Sequence, residues 1–288
     1  MTAALSRSRA AEIAVAGEFP FTWDDFGAVA ALMYEVSGIH LVEAKATLVY
    51  SRLAKRLRVL GLRDFAAYRA LLDGPDAEDE RSAMLSALTT NVTRFYREPH
   101  HFADLLDKRM PALAAAARAG GRVRIWSAGC SAGHEPYTIA MTVLEALPEA
   151  GNLDVRILAS DIDPLIVQRA AAAAYSADDI EPVPAGVRAK HLVRAGAGWT
   201  VSPAVKSLIA FRTLNLLADW PIRGQFDIIF CRNVAIYFDD PTQSRLFGRF
   251  ADALKDGGHL YIGHSERASA PGLTPDGLTA YRREARRG

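Results

Sequence analysis

From Thr22 to about Leu88, apolar residues recur at helical spacing. Phe26, Val29, Ala30 and Met33 fall on one face of a first helix, and Leu48, Leu53, Leu57 and Leu60 on a second. Gly61 stands where the second helix should stop, and Asp64 can cap a third helix that carries Phe65, Tyr68 and Leu72. The run DGPDAEDE reads as a polar turn before a fourth helix through Met84, Leu85 and Leu88. These elements predict a small all-helical N-terminal domain over residues 21–88, near the lower size limit for independent folding. Residues 1–20 carry arginines but no compact apolar segment leading to a cleavage site, and are expected to be a mobile leader rather than a secretory signal.

After Gly120 the pattern changes to short apolar runs alternating with amphipathic ones. RVRIWSAG, VRILASDID, LIAFRTLNLL, FDIIFCRN and GHLYIGHSE are strand candidates. Helices are expected from Glu135 to Leu147, around Leu165–Ala174, and in DPTQSRLFGRFADALKDGG, where Pro241 suits a first turn and Gly257-Gly258 follow the end. Strands alternating with helices predict an α/β domain over residues 121–288, with a mostly parallel sheet covered on both faces. Residues 89–120 read as a linker and cleft-lining segment. A small β-hairpin subdomain is expected at about 175–207, with RAGAG as its turn.

Composition narrows the class. Lys+Arg 34 against Asp+Glu 33 gives a net charge of +1, which argues against a generic nucleic-acid coat or a polybasic membrane binder. No run approaches the ~18 apolar residues of a membrane span, so no membrane insertion is expected. Two cysteines in 288 residues suit a reducing compartment and a cytoplasmic protein. The balanced total hides one local excess: Arg52, Lys55, Arg56, Arg58 and Arg63 follow one another with no acidic residue between them. A solvated helical face accounts for such a run as well as a binding patch does.

In an open parallel sheet, ligands bind beyond the carboxyl ends of the strands, where strand order reverses. The first such loop, Gly129-Cys130-Ser131-Ala132-Gly133, permits close backbone approach but is neither a dinucleotide fingerprint nor a P-loop. Glu135 beside it would repel a phosphate and suits a cationic ligand such as an amino group or sulfonium, or serves simply as an acid at a helix N-terminus. Asp161 closes the second strand, where a carboxylate can accept both hydroxyl hydrogens of a ribose, while Asp163 before Pro164 is the better helix cap. A nucleoside-bearing ligand without a pyrophosphate satisfies these features, and S-adenosylmethionine is one. The segment TTNVTRFYREPHHF brings Asn91, Arg97 and paired histidines toward the cleft. His100 and His101, as helix neighbours, point differently and make a poor metal pair, so no metal is expected.

The blocks TTNVTRFYREPHHF, RIWSAGCSAGHEPYTIAM, ASDID, NLL, FDIIFCRNVAIYFD and GGHLYIGHSE occur in order from about Thr89 to Glu266. In these the chain resembles the CheR-type chemotaxis receptor methyltransferases, which transfer methyl from S-adenosylmethionine to receptor glutamates and leave S-adenosylhomocysteine. The resemblance implies a Rossmann-like class I methyltransferase fold after the helical domain. It implies cofactor contacts from Asn91, Thr93, Arg97, Gly129, Glu135, Asp161, Asn215, Leu216, Arg232 and Asn233. It puts Arg97 and Tyr237 at the transfer site, Arg97 orienting the acceptor carboxylate and Tyr237 shaping the cleft. It makes Arg52, Lys55, Arg56, Arg58 and Arg63 a docking patch for glutamate-bearing receptor helices. The subdomain at 175–207 then holds a receptor's C-terminal tail peptide or merely finishes the fold. His134 and Cys130 depart from the residues commoner in relatives. The same fold acting on another signalling protein, or serving as a cofactor-binding sensor module, remains an alternative to receptor methylation.

Overall fold

The computed structural model describes residues 11–75, 77–89 and 91–285. The chain divides into two units between residues 90 and 91, with Tyr237–Asp239 grouped by their contacts with the first.

The first unit begins earlier than the sequence predicts. Strands β1 (Ile13–Val15) and β2 (Phe21–Thr22) pair antiparallel, so the described part of the expected leader is ordered, and residues 1–10 lie outside the described ones. Phe21 is the reason: its ring is fully buried and sits 4.5 Å from that of Phe65. Four helices follow: α1 (Trp23–Ser37), α2 (Ala46–Leu60), α3 (Phe65–Leu72) and α4 (Glu78–Leu88). Thr22 and Asp25 cap α1 reciprocally, and Gly61, at φ +65°, ends α2 in the left-handed conformation a glycine adopts without strain.

The inward face of α2 keeps two of its four expected leucines. Ala46, Val49, Leu53 and Leu57 are buried, whereas Leu48 and Leu60 are exposed. At 100° per residue Val49, Leu53 and Leu57 share one face, and Leu48 lies about 140° round from Leu53. Arg56 borders this face: its guanidinium forms a forked pair with buried Glu80 on α4, at 3.1 and 2.5 Å, and the Tyr68 hydroxyl donates to the same carboxylate at 2.8 Å. Arg52 turns the same way and donates to the carbonyls of Ala87, Leu88 and Thr89, capping the end of α4. The five-residue basic patch is therefore smaller than the sequence implies. Arg56 and Arg52 serve the unit's interior, Arg58 pairs with Glu18 and Arg63 with its neighbour Asp64. Lys55, Arg58 and Arg63 are the members left on the surface.

In the second unit, residues 91–118 form part of the fold rather than a linker. α5 (His100–Asp104) runs through a π-helical turn (Leu105–Arg109) into α6 (Met110–Arg118), and Phe95, Phe102, Leu105, Met110, Ala114 and Ala117 enter the main core. The remaining elements are β3 (Val123–Ala128), α7 (His134–Ala146), β4 (Val155–Asp161), α8 (Pro164–Ala172), α9 (Ala177–Ile180), α10 (Ala185–His191), β5 (Leu192–Ala195), β6 (Gly198–Val201), α11 (Pro203–Ser207), β7 (Ile209–Thr213), β8 (Phe226–Cys231), α12 (Asp240–Ala253), β9 (Leu254–Ile262), β10 (Leu273–Pro275) and β11 (Ala280–Arg283).

Seven strands form one sheet in the order β10-β11-β9-β8-β3-β4-β7. The five from β9 to β7 are parallel, and β11 and β10 close one edge antiparallel. Alternation along β3 separates two layers. Val123 and Ile125 join the core with α7, while Trp126 faces the other way, against Trp220 and Phe250 at 4.8 and 5.3 Å. A separate two-stranded hairpin, β5–β6, realises the expected subdomain, with Gly196 in its turn at φ +58°. A groove of about 550 Å³ beside it is lined by Val193, Thr200, Val201, Pro203, Lys206 and Ser207.

Candidate active site

β3 is the first strand of the large sheet in chain order; successive strands then build outward from it on one side through β4 and β7 and on the other through β8 and β9. The order thus reverses between β3 and β8, and the crevice beyond their carboxyl ends is where a ligand is expected. The chemistry-bearing residues of this unit collect there.

The loop after β3 is held by backbone bonds. Gly129 and Cys130 both donate to the Ser160 carbonyl at 2.8 Å, and Ser131, at φ +46°, donates its N–H to Asp161 Oδ2 at 2.8 Å. Gly129 has φ +88°, and a Cβ there would lie 2.3 Å from Val234 Cγ2. The glycine is therefore required by close approach of the β8 loop, a reason the sequence reading did not contain. Asp161 Oδ1 accepts from the Asp163 N–H at 3.1 Å, and Asp163 caps α8 through the N–H groups of Leu165 and Ile166. Burial pushes the Asp161 carboxyl above its usual range, while its backbone donors pull it down. With Ile162 also donating its N–H, three of the carboxylate's four acceptor positions are taken and one is left.

Glu135 lies in the first turn of α7, and its partners decide its role. Oε1 accepts from the Ser127 hydroxyl at 2.7 Å, and Oε2 pairs with Arg232 Nη1 at 3.0 Å. Burial raises the Glu135 carboxyl, and Arg232 and Ser127 oppose the rise. The Arg232 side chain is only 2% exposed; it also lies 3.4 Å from Glu98 Oε2, donates to the Arg97 carbonyl, and faces the Phe102 ring. One guanidinium thus joins the ends of β3 and β8 to the segment before α5.

That segment is tightly constrained. Tyr96 and Glu98 have φ of +53° and +55°, uncommon for side-chain-bearing residues. Phe95 is fully buried, with its ring 4.7 Å from His134 and 4.9 Å from Tyr175. Asn91 reaches Asp163 Oδ2 at 3.4 Å, and its carbonyl accepts from the Ser131 hydroxyl at 3.2 Å. Burial works against ionisation of Glu98, but the His264 hydrogen bond and the Arg232 charge outweigh it and hold the carboxyl down at about 2. His134, the departure noted in the sequence, is buried between aromatic rings, and burial lowers it to about 4.

Glu266 was not singled out from the sequence. It follows β9, is 9% exposed, and accepts backbone N–H bonds from Gly263, Asn233, Val234 and Ile236 at 2.5, 2.8, 2.9 and 3.3 Å. An acid at the carboxyl edge of a parallel strand was the available signal. Its partners are brought together by tertiary structure alone.

The other expected site residues are distributed as follows. Arg97 turns back to donate to the Val92 carbonyl at 3.0 Å, and Thr93 is half-buried beside it in sequence. Asn215 follows β7 and accepts from the Leu217 N–H at 2.9 Å, and the buried Leu216 carbonyl receives Trp220 Nε1 and Arg249. Leu214 donates to the Asp161 carbonyl at 2.8 Å, so this loop adjoins the end of β4. Asn233 holds φ +59°. Tyr237 groups with the helical unit: its carbonyl accepts from the His40 N–H at 2.9 Å, and the Lys45 ammonium lies 5.6 Å from its ring centroid. Cys130 and Cys231 end adjacent strand regions, and burial raises both thiols well above their usual range.

His100 and His101 are closer than helix geometry suggests, with ring centroids 4.1 Å apart. Ligand-type atoms of Glu98, His100 and His101 lie within 4.8 Å of one another. The cation already beside Glu98 is Arg232, and burial together with that charge keeps His101 neutral, lowered to about 3.

Family models agree with this division. The CheR methyltransferase SAM-binding domain matches residues 91–274, and the CheR methyltransferase all-alpha domain matches residues 24–89. The chain belongs to the CheR methyltransferase family. It is 50% identical over 258 residues to a probable chemotaxis protein methyltransferase of Rhizobium etli, covering 87% of this chain and 96% of that one. It is 44% identical over 257 residues to chemotaxis protein methyltransferase 2 of Pseudomonas aeruginosa, covering 86% and 88%. With the chemotaxis protein methyltransferase of Escherichia coli it shares 39% over 250 residues, covering 85% and 84%.

This CheR-family protein is accordingly an S-adenosylmethionine-dependent methyltransferase, and its residues fit that cofactor. Asp161 has acceptor capacity at a strand end, where a ribose diol binds. The crevice places Glu135 and Glu98 beside Arg232, a donor set suited to an amino acid moiety rather than to a pyrophosphate. Among the described residues no helix is long and apolar enough to cross a membrane.

Proposed function

We propose that this protein methylates glutamate side chains of a chemoreceptor, giving glutamate methyl esters and S-adenosylhomocysteine. The observation that carries the reading is the convergence of Asp161, Glu135 and Arg232 at the point where sheet order reverses, in a chain whose relatives are named chemotaxis protein methyltransferases. When bound, S-adenosylmethionine supplies an electrophilic sulfonium methyl. The acceptor, a glutamate with an unperturbed pKa of about 4.3, is already ionised at neutral pH, so the protein has no strong base to provide. Its residues bind and align. Asp161 holds the ribose hydroxyls, and the loops of Gly129, Asn215-Leu216 and Arg232-Asn233 enclose the nucleoside. Asn91 and Thr93 line the same crevice. Glu135, neutralised on one side by Arg232, retains capacity for an amino group. Arg97 orients the acceptor carboxylate and Tyr237 shapes the approach, so that rate comes chiefly from proximity and in-line geometry.

Lys55, Arg58 and Arg63 form the surface part of a receptor-docking patch, complementary to glutamate-bearing helices. The β5–β6 hairpin, with the groove beside it, either holds a receptor tail peptide or completes the fold. The protein acts in the cytoplasm.

The test is incubation with methyl-labelled cofactor and a chemoreceptor cytoplasmic fragment, followed by mild base. Volatile base-labile methyl from the receptor is expected. Cofactor binding without a base-labile ester on any fragment refutes the reading. Arg97→Ala should lower kcat more than cofactor affinity, and equal loss of both opposes the role given to Arg97.

A further inference from the structure

The loop after β8 is held in an unfavourable conformation by a carboxylate from another strand. Asn233 has φ +59°, in the left-handed region that side-chain-bearing residues adopt uncommonly and Asn tolerates best. Glu266 holds it there. Its two oxygens receive four backbone N–H groups, three from residues 233, 234 and 236 and one from Gly263, which fills the four acceptor positions a carboxylate has. The four donors converge on one point, so the site calls for a full negative charge. A neutral amide of the same shape has half the acceptor capacity and would set its own N–H groups against the backbone ones.

The loop so fixed carries two side chains that reach the β3 side of the crevice. Arg232 pairs with Glu135, and Val234 fills the space that Gly129 leaves open. Gly263 completes the arrangement, because a Cβ there would lie 2.4 Å from Asn233 Nδ2. We infer that Glu266 is a positioning residue of the transfer site, setting the β8 loop, and through it Arg232 and Asn233, for the adenosyl cofactor. This rests on the reading of Arg232 and Asn233 as cofactor-pocket residues.

Glu266→Gln and Glu266→Asp test it, with S-adenosylhomocysteine affinity measured by calorimetry and KM measured for cofactor and acceptor. Stranding two buried backbone donors should weaken binding about tenfold or more in Glu266→Gln, with a raised cofactor KM and an unchanged acceptor KM. Glu266→Asp keeps the charge at shorter reach and should fall between that variant and the wild type; it also serves as the test should the Gln variant fail to fold. Tyr261→Phe, which removes the β9 hydrogen bond to Asp104, controls for destabilising the strand and should retain wild-type affinity despite a lower Tm. Wild-type affinity in folded Glu266→Gln or Glu266→Asp overturns the inference, as does an equal loss in Tyr261→Phe. Absence of binding by the wild-type protein would instead overturn the cofactor reading beneath it.

Discussion

Replacing Arg232 by Met isolates the electrostatics of the crevice from its chemistry. The methionine keeps much of the apolar stem and removes the charged guanidinium, which faces the Phe102 ring. Glu135 then retains only the Ser127 hydroxyl, and Glu98 retains His264 and a long contact from Asn233. The arginine side chain is 2% exposed and that of Glu135 12%, so solvent cannot replace the lost partner. Removing one member of a buried pair costs roughly 3–5 kcal/mol, much of it the stranded charge. At roughly 2–4 °C per kcal/mol for a unit of this size, Tm should fall by roughly 6–20 °C.

The deficit carries a pH signature. Glu135 already has its folded-state pKa raised above the ordinary 4.5, and loss of Arg232 raises it further. A raised carboxyl costs stability above its folded pKa, and the cost vanishes as pH falls below the unfolded value. The variant should therefore approach the wild type as pH falls toward the ordinary carboxyl value of 4.5. Urea titrations followed by tryptophan fluorescence report on this unit, which holds Trp126, Trp199 and Trp220. The double variant Arg232→Met/Glu135→Gln should recover part of the loss, because Glu135 then carries no charge while Glu98 keeps only its His264 and Asn233 contacts. A single variant within 1 kcal/mol of wild type at pH 7.5 (roughly a fivefold change in the folding constant) refutes the argument. So does a deficit that grows toward acid.

Three further outcomes follow from other contacts. Gly129→Ala places a methyl against Val234 at a positive φ and should cost roughly 2 kcal/mol or more, read as a lower Tm together with lost S-adenosylhomocysteine binding by calorimetry. Arg56→Ala strands buried Glu80 and should cost the helical unit roughly 2–4 kcal/mol, seen as early hydrogen exchange in α2 and α4 while the sheet amides stay protected. His134 is lowered from 6.5 to about 4, so the native state resists its protonation. The stability this gives is complete above pH 6.5 and is lost as pH falls toward 4, about 3 kcal/mol in all. His134→Phe should flatten the acid limb by that amount in pH-dependent melts, leaving the contribution of His101, which is also lowered.

Local rules made much of this protein legible from its residues. Asp64, Gly61 and Asp163 are caps whose partners lie within a few positions, and each is visible along the chain. Asp161 and Glu135 stood out because strand ends and helix starts can be read along the chain. Faces and partners could not be read that way. Leu60 lies on the same helical face as Leu53 and Leu57 yet stays exposed in the last turn, and the pairing of Arg56 with Glu80, 24 residues away, has no local signal. The same long-range pairing removed Arg52 and Arg56 from the surface patch. Other tertiary contacts drew residues 91–118 into the sheet's core and gathered four backbone donors on Glu266. Sequence determines what each residue offers locally, because caps, turns and periodicity depend on neighbours a few positions away. Tertiary structure decides which charge meets which, because a carboxylate is neutralised by whatever donor the fold brings within about 3 Å, at any distance along the chain.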